Sequence, residues 1–452
     1  MFDLTREYIE ELQERIGRGQ DKSIQEQLAD LHPADIADVF EELRSDEISY
    51  VYKLLESERA ADVMVELEED VQANLLNSFT SREIAEELIE HIDSDDASDM
   101  ISELPEEKIE EIISHIGDEE KASDIIDLLN YEEGTAGALM AKELVKVNIN
   151  WTVAHTIREM RKQAEEIDNV YTIYVVDDKG ILKGRLSLKK LLFSASTTRT
   201  VIKDIYDDQQ IEIVLATDDD EKAAAVMDKY DLVALPVLNE IGQLLGRITI
   251  DDVVDVIKEE AEKDYQMASG LSEDVEATDG VWAITRARIP WLLIGMAGGI
   301  ASASVIGIFD IEKTPELALF IPLIAAMAGN AGVQSAAIVV QGLASENVKM
   351  DAIAKKLSKE FVVGLFNGLI CSIVLLLSSF VLGYEVALAL TISISLLVVI
   401  TFAAVFGSFV PLILDKYKID PALATGPFVT TANDIIGLLI YFLLGSYMYT
   451  VF

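Results

Sequence analysis

The chain has 452 residues, 80 acidic and 36 basic, for a formal charge of −44. From Arg286 onward there are 10 acids and 9 bases, so the first 285 residues carry formally −43. That field repels nucleic acid and anionic lipid and attracts cations, although solvation alone accounts for part of such a surface. A single cysteine, Cys371, excludes a disulfide framework and a thiolate metal site. All four histidines precede residue 156, so oxygen donors must dominate any metal chemistry, which favours Mg2+, Ca2+ or Mn2+ over Zn2+ or Cu2+. No nucleophile–His pair, metal-hydrolase spacing or GxxxxGK[ST] loop occurs, so neither an enzyme nor an ATP-driven pump is expected.

The first residues, MFDLTREYIEEL, place acids where a signal peptide needs a basic end and an apolar core, so this end is expected in the cytoplasm. Residues 1–136 read as an acidic domain of short amphipathic helices with recurring phrases, HPADIADVFEEL, SERAADVMVEL, TSREIAEELIEHI, DSDDASDMISEL and DEEKASDIIDLL. Asp38, Asp62 and Glu86 recur every 24 residues, and Asp99 and Asp124 lie 25 apart, the period of a helical hairpin. Acids at the openings of these phrases also suit the helix macrodipole, without any ligand.

Residues 137–198 and 199–258 change to strands and helices and repeat with an offset of 62. VVDDKGILKGRLSLKKLL (175–192) aligns with VLNEIGQLLGRITIDDVV (237–254), matching Gly180 to Gly242, Leu182 to Leu244, Gly184 to Gly246 and Arg185 to Arg247. Each unit reads strand, Gly-containing turn, strand, helix. Two copies in register resemble the tandem CBS (Bateman) module, and that resemblance implies an adenine-nucleotide cleft or a regulatory hinge. Lys189-Lys190 of the first copy become Asp251-Asp252 in the second.

After Ile248 no Pro or Gly intervenes until Gly270, which predicts a connecting helix within 250–285. Asp252, Asp255, Glu259 and Glu262 fall at i, i+3, i+7 and i+10 on one face. Stacked like charges weaken a helix, and a cation is the natural compensator.

Five apolar stretches follow within 286–452, at 289–309, 317–344, 361–382, 386–414 and 422–447, each long enough to cross a bilayer. Lys349, Lys355, Lys356, Lys359, Lys416 and Lys418 fall in alternate connections, and Arg286 and Arg288 precede the first span. The positive-inside rule then places the acidic region in the cytoplasm and the C-terminus outside. In the last stretch Asp434 is the sole carboxylate after Asp420, and burying it costs at least ~2.5 kcal/mol, the mark of a functional group. Thr430 and Thr431 lie one turn before it. Pro427 cannot donate to the Leu423 carbonyl, which predicts a broken helix offering hard oxygens. In AGNAGVQSAAIVVQGLA, Asn330, Gln334 and Gln341 share a face at i, i+4 and i+11, either lining a pathway or bonding another helix, and Gly329 and Gly332 permit close approach.

The whole succession, with GNAGVQ and DPALATGPFVTTANDIIG, resembles the bacterial MgtE-type magnesium channels, related to the eukaryotic solute-carrier family 41. The fold expected is multidomain: an all-α N-terminal helical superhelix, α/β tandem CBS domains, a long connecting (plug) helix and a five-helix α transmembrane domain. The resemblance implies a homodimer in the bacterial inner membrane that takes up Mg2+ down its electrochemical gradient and is shut by cytoplasmic Mg2+. It implies a pore site at Asp434 with Thr430, Thr431, Asn433 and Asn330. Sensor acids map to Asp95, Asp99, Asp219, Glu221, Asp231, Asp252, Asp255, Glu260 and Asp264, with Glu259 on the same acidic face. Mg2+ is the expected ligand, with ATP in the CBS cleft as an option, and membrane lipid but no nucleic acid as partner. The rival functions are a Na+- or H+-coupled Mg2+ exchanger and a non-conducting, membrane-anchored CBS sensor. Two departures from the family pattern, Ala328 and Gln341, fall in the second span.

Overall fold

The computed structural model describes residues 4–451 apart from 165–166, 168–169, 195–196, 209–210, 273–274, 276–278, 310–314, 345–352 and 425. It divides into two compact units, Met1–Ile257 and Lys258–Phe452.

The first unit opens with α1 (Arg6–Gly17), α2 (Asp21–Leu28), α3 (Pro33–Glu41), α4 (Ser45–Tyr52), α5 (Ser57–Val65), α6 (Glu69–Ser78), α7 (Ser81–Glu83), α8 (Ser94–Ser102), α9 (Glu106–His115) and α10 (Glu119–Leu128). Every second helix starts 24 or 25 residues after its predecessor: α3, α5, α7 and α9 at 33, 57, 81 and 106, and α4, α6, α8 and α10 at 45, 69, 94 and 119. The sequence period is therefore a two-helix repeat. Each helix turns an apolar stripe inward, and Phe40, Met64, Ile84, Ile89 and Ile101 are fully buried along one continuous core. After α7 the backbone loosens into a π turn (Ile84–Leu88) and then tightens into a 3-10 turn (Ile89–His91). This irregular segment leads directly into Asp93 and α8.

Two three-stranded sheets follow. The first holds β1 (Val145–Asn148), β2 (Ile173–Val176) and β3 (Leu182–Leu186), with α11 (Val153–Gln163) between β1 and β2. The second holds β4 (Val214–Leu215), β5 (Ala234–Leu238) and β6 (Leu244–Thr249), with α12 (Asp220–Tyr230) between β4 and β5. In each sheet the first pair is parallel and the second antiparallel, with a register shift at the equivalent positions Val175/Val176 and Val237/Leu238. The two copies meet through a symmetric pair of hydrogen bonds, Leu182 N–H to Gly242 O and Leu244 N–H to Gly180 O, both 3.0 Å. Gly180 and Gly242 hold φ of +78° and +83°, conformations that favour glycine at these hairpin tips. Helix α13 (Ile250–Ser269) continues from β6 and ends at Gly270, whose φ is +86°.

The second unit contains α14 (Val281–Ile308), α15 (Pro315–Ala318), α16 (Ile321–Ala344), α17 (Ile353–Val381), α18 (Val386–Lys416) and α19 (Gly426–Val451). All but α15 are long and apolar enough to cross a membrane. Leu317, Ile324, Ala328, Leu396, Val399, Tyr441 and Phe442 form the core between α15, α16, α18 and α19. The Tyr441 hydroxyl donates to the Leu317 carbonyl at 2.8 Å.

Helix boundaries differ from the sequence expectation in three places. The first crossing begins at Val281 rather than 289, so Arg286 and Arg288 lie on the helix instead of preceding it. The third crossing begins at Ile353 rather than 361, so Lys355, Lys356, Lys359 and a buried Glu360 ride on the helix itself. At 29 residues it is about 43 Å long and outreaches a ~30 Å hydrocarbon layer. The expected break at Pro427 lies at the start of the fifth crossing instead. A 3-10 turn (Pro421–Ala424) precedes α19, and Pro427 is its second residue, where the missing N–H costs nothing.

Candidate pore and cation-sensing sites

Helix α19 carries the intramembrane acid. Residues on a helix turn by about 100° each, so positions 430, 431, 433 and 434 cannot all face one way. Thr430 and Asp434, one turn apart, share the face against α16. A Cβ on Gly329 would stand 3.2 Å from the Thr430 methyl and 3.8 Å from Asp434 Oδ1. The Thr430 hydroxyl donates back to the Gly426 carbonyl at 2.9 Å. Thr431 packs instead on α14, where a Cβ on Gly298 would lie 1.9 Å from its methyl. Asn433 is 0% exposed. It sits where α19 meets Gly332 of α16, and neither of its amide atoms has a hydrogen-bond partner among the described residues. Asn330 lies exposed on α16, as do Gln334 and Gln341. The structure thus brings Thr430 to Asp434 and separates both from Thr431 and Asn433. Ala328 is buried, its methyl filling the notch opposite Gly437. Gln341 is exposed near the end of α16.

At the start of α19, Gly426 adopts φ +46°, and a Cβ there would lie 2.3 Å from the Ala268 carbonyl. The end of α13 therefore abuts the opening of the helix that carries Asp434, two turns before the acid. Nearby, half-buried Asp264 has its carboxyl pushed up, by burial first and then by Asp420 and Glu260. Glu260 pairs with Lys263 at 2.9 Å, and Glu259 is exposed.

The first unit gathers a second set of acids. Carboxylate oxygens of Asp93, Asp95 and Glu143 lie within 4.8 Å of one another, an arrangement able to hold a cation and the one such trio among the described residues. Asp93 precedes α8 and Asp95 stands in its first turn, while Glu143 comes from the segment before β1. The Ser94 N–H and hydroxyl donate to Glu143 at 3.1 and 2.7 Å, and the Lys142 N–H donates to Ser94 Oγ at 3.0 Å. Asp252 at the start of α13 accepts from Thr249 N–H and Oγ1 at 3.1 and 2.7 Å. Burial, then Asp96, Asp252, Asp93 and Glu143, raise the Asp95 carboxyl well above the ordinary carboxylate range. Burial followed by Asp252 and Asp93 pushes Asp96 up to about 7. Asp252 is also raised by burial, against the opposing pull of its Thr249 bonds and Arg247. Crowded, desolvated carboxylates favour protonation or a divalent cation, whose hard oxygen preference they match.

Residues 321–444 match the MgtE family, described as divalent cation transporters, residues 31–134 match the MgtE intracellular N domain, and 136–196 and 202–259 match CBS domains. The magnesium transporter MgtE of Enterococcus faecalis is 35% identical over 329 residues, 72% of each chain. That of Thermus thermophilus is 33% identical over 447 residues, 95% of this chain and 96% of the other. This chain belongs to the MgtE family of magnesium transporters. It is a multi-pass membrane protein of a transporter family, not an enzyme. Among solved structures, the soluble part of a magnesium transporter is 30% identical and covers 56% of this chain and 98% of its own, with a TM-score of 0.49. The cytosolic domain of the Mg2+ channel MgtE in complex with ATP is 33% identical and covers 55% and 99%, also with a TM-score of 0.49.

Within this MgtE chain, Asp95 and Asp252 fall in the acidic cluster, with exposed Asp99 close enough to act on Asp96. Asp255 is exposed on α13. Asp219 and Glu221 stand at the start of α12 and Asp231 at its end in the left-handed conformation, roughly 18 Å apart along the helix, so one chain does not unite them. Sequence reasoning missed Asp93, Asp96 and Glu143 as site residues. The first two open a phrase already recognised, DSDDASD. Glu143 carries no periodic signal and joins the cluster only through the fold.

Proposed function

We propose that this transporter is a Mg2+-selective channel built from two copies of the chain, which admits Mg2+ down its electrochemical gradient and closes when cytoplasmic Mg2+ binds its acids. The observation that carries the proposal is half-buried Asp434 beside Gly329, on the same helix pair as exposed Asn330 and Gln334. Carboxylate and amides facing hydrocarbon would be costly, so this face calls for water and a second copy. Two Asp434 carboxylates could hold a largely hydrated Mg2+ through its waters, in keeping with its reluctance to dehydrate. At roughly −100 mV a divalent ion gains about 4.6 kcal/mol on entry, so no energy-coupling motif is required.

Closure would use the Asp93, Asp95 and Glu143 trio with Asp252, and Asp264 with Asp420 beside the start of α19. The exposed acids Asp99, Asp219, Glu221, Asp231, Asp255 and Glu259 and the partly buried Glu260 would serve as outer ligands or be completed by the second copy. The tandem CBS cleft would take ATP, and linkage then requires ATP and Mg2+ to alter each other's affinity. The alternating basic connections put the C-terminus outside. Liposomes containing the wild type or Asp434→Ala test the pore. Uptake should vanish in the variant while the protein stays folded, and wild-type uptake by the variant refutes the assignment.

A further inference from the structure

Among the described residues Arg247 is the one basic residue that is buried, and it lies beside a crowd of acids. Its side chain is 6% exposed, with Nη2 3.4 Å from Asp93 Oδ2, and its guanidinium sits 5.2 Å over the Tyr171 ring. Its backbone pairs with Ala141 through two hydrogen bonds of 2.8 and 2.9 Å. That pairing sets the next residue, Lys142, against the same helical domain. The Lys142 side chain is 9% exposed and its ammonium pairs with the Asp127 carboxylate of α10. Both bases thus come from the strand pair at the second CBS sheet, and both of their acids from the helical domain.

The same contact crowds Asp93, Asp95, Asp96, Glu143 and Asp252, which repel one another unless a cation intervenes. Two shielded bases offset part of that repulsion without any metal. Shielded charges are tolerated when paired, and removing one partner leaves the other uncompensated.

From this we infer that Arg247 and Lys142 form a metal-independent latch, two tethered cations that keep the helical domain partly docked on the second CBS sheet when Mg2+ is scarce. Mg2+ then completes the docked arrangement rather than creating it, and the latch sets how far docking has advanced before any ion binds. Its place in gating rests on the metal-sensing function proposed above, but docking itself can be read separately. Two amides report it, Ser94 N–H, which donates to Glu143, and Lys142 N–H, which donates to Ser94 Oγ.

Hydrogen exchange on the full-length protein in detergent tests the latch. In EDTA, R247Q and D93N should each exchange these two amides roughly tenfold faster than wild type, the scale of a partly buried ion pair. R247K, which keeps the charge, should retain most of the protection. Saturating Mg2+ should restore protection in R247Q, because the metal supplies the missing cation, and strand Ala234–Leu238 should exchange as in the wild type throughout. Wild-type exchange by R247Q and D93N in EDTA overturns the latch. So does an R247Q that loosens Ala234–Leu238 equally while D93N changes nothing, since Arg247 would then be a core residue of the sheet. A wild type indifferent to Mg2+, with both variants fast in EDTA, would refute metal sensing and leave the latch standing.

Discussion

Replacing Asp96 with Asn should complete the docking of the helical domain without metal. Asp96 is not one of the three acids whose oxygens converge, so the substitution leaves Asp93, Asp95 and Glu143 in place. What it removes is a charge that the docked state disfavours. Burial and the neighbouring acids lift the Asp96 carboxyl to about 7, against ~3.9 for an unperturbed aspartate. A raised acid stabilises the docked form fully below the undocked value, and that contribution is lost as pH rises through the docked value. Asp93 and Asp99 belong to the same helical domain as Asp96, so the part of the shift that opposes docking at pH 8 is the part due to Asp252, Asp251 and the surface covered on docking. The full shift of about three units, roughly 4 kcal/mol, is its upper bound. Asn carries no such penalty. Limited proteolysis by a glutamyl endopeptidase at the exposed link Glu132–Glu133 reads the change. In EDTA at pH 8 the variant should resist cleavage as the wild type does in Mg2+. Cleavage of Asp96→Asn in EDTA as fast as wild type would refute repulsion as the force that keeps docking incomplete in the apo protein.

Two further outcomes follow from the same structure. Because Asp95, Asp96 and Asp252 are all raised, the wild type in EDTA should become more compact as pH falls from 8 to 6, which small-angle scattering measures; invariance would contradict the crowding. Gly407→Ala would set a Cβ 2.2 Å from the Gly332 carbonyl oxygen. Backbone cannot yield as a side chain can, so the variant should lose about 2 kcal/mol or more of stability, seen as a lower unfolding temperature in detergent.

Much of the architecture was legible because it is periodic. The 24-residue spacing of Asp38, Asp62 and Glu86 became successive helix pairs, and the offset of 62 became two sheets with the same bulge. Apolar runs marked the spans, but not where α14 and α17 begin, because Arg286 and Arg288 in the one and Lys355–Glu360 in the other continue the helix with charged residues that interrupt the hydropathy signal. At the candidate sites, the helical spacing of Thr430 and Asp434 placed them on one face. Thr431 and Asn433 are equally near in sequence, yet their directions are set by Gly298 and Gly332 on other helices, which local spacing does not encode. Likewise Asp95 and Asp252 stood out as members of acidic phrases. The contact of Arg247 with Asp93 spans 154 residues and exists only once the helical domain and the second sheet have met.

The most direct test of conduction gated by its own ion is electrical. Wild-type protein in a voltage-clamped bilayer, with Mg2+ as the sole permeant cation, should carry a Mg2+ current that falls as Mg2+ is raised on the cytoplasmic face and is absent in Asp434→Ala. Transport that appears only with a Na+ or H+ gradient, with no current carried by Mg2+ alone, would contradict it.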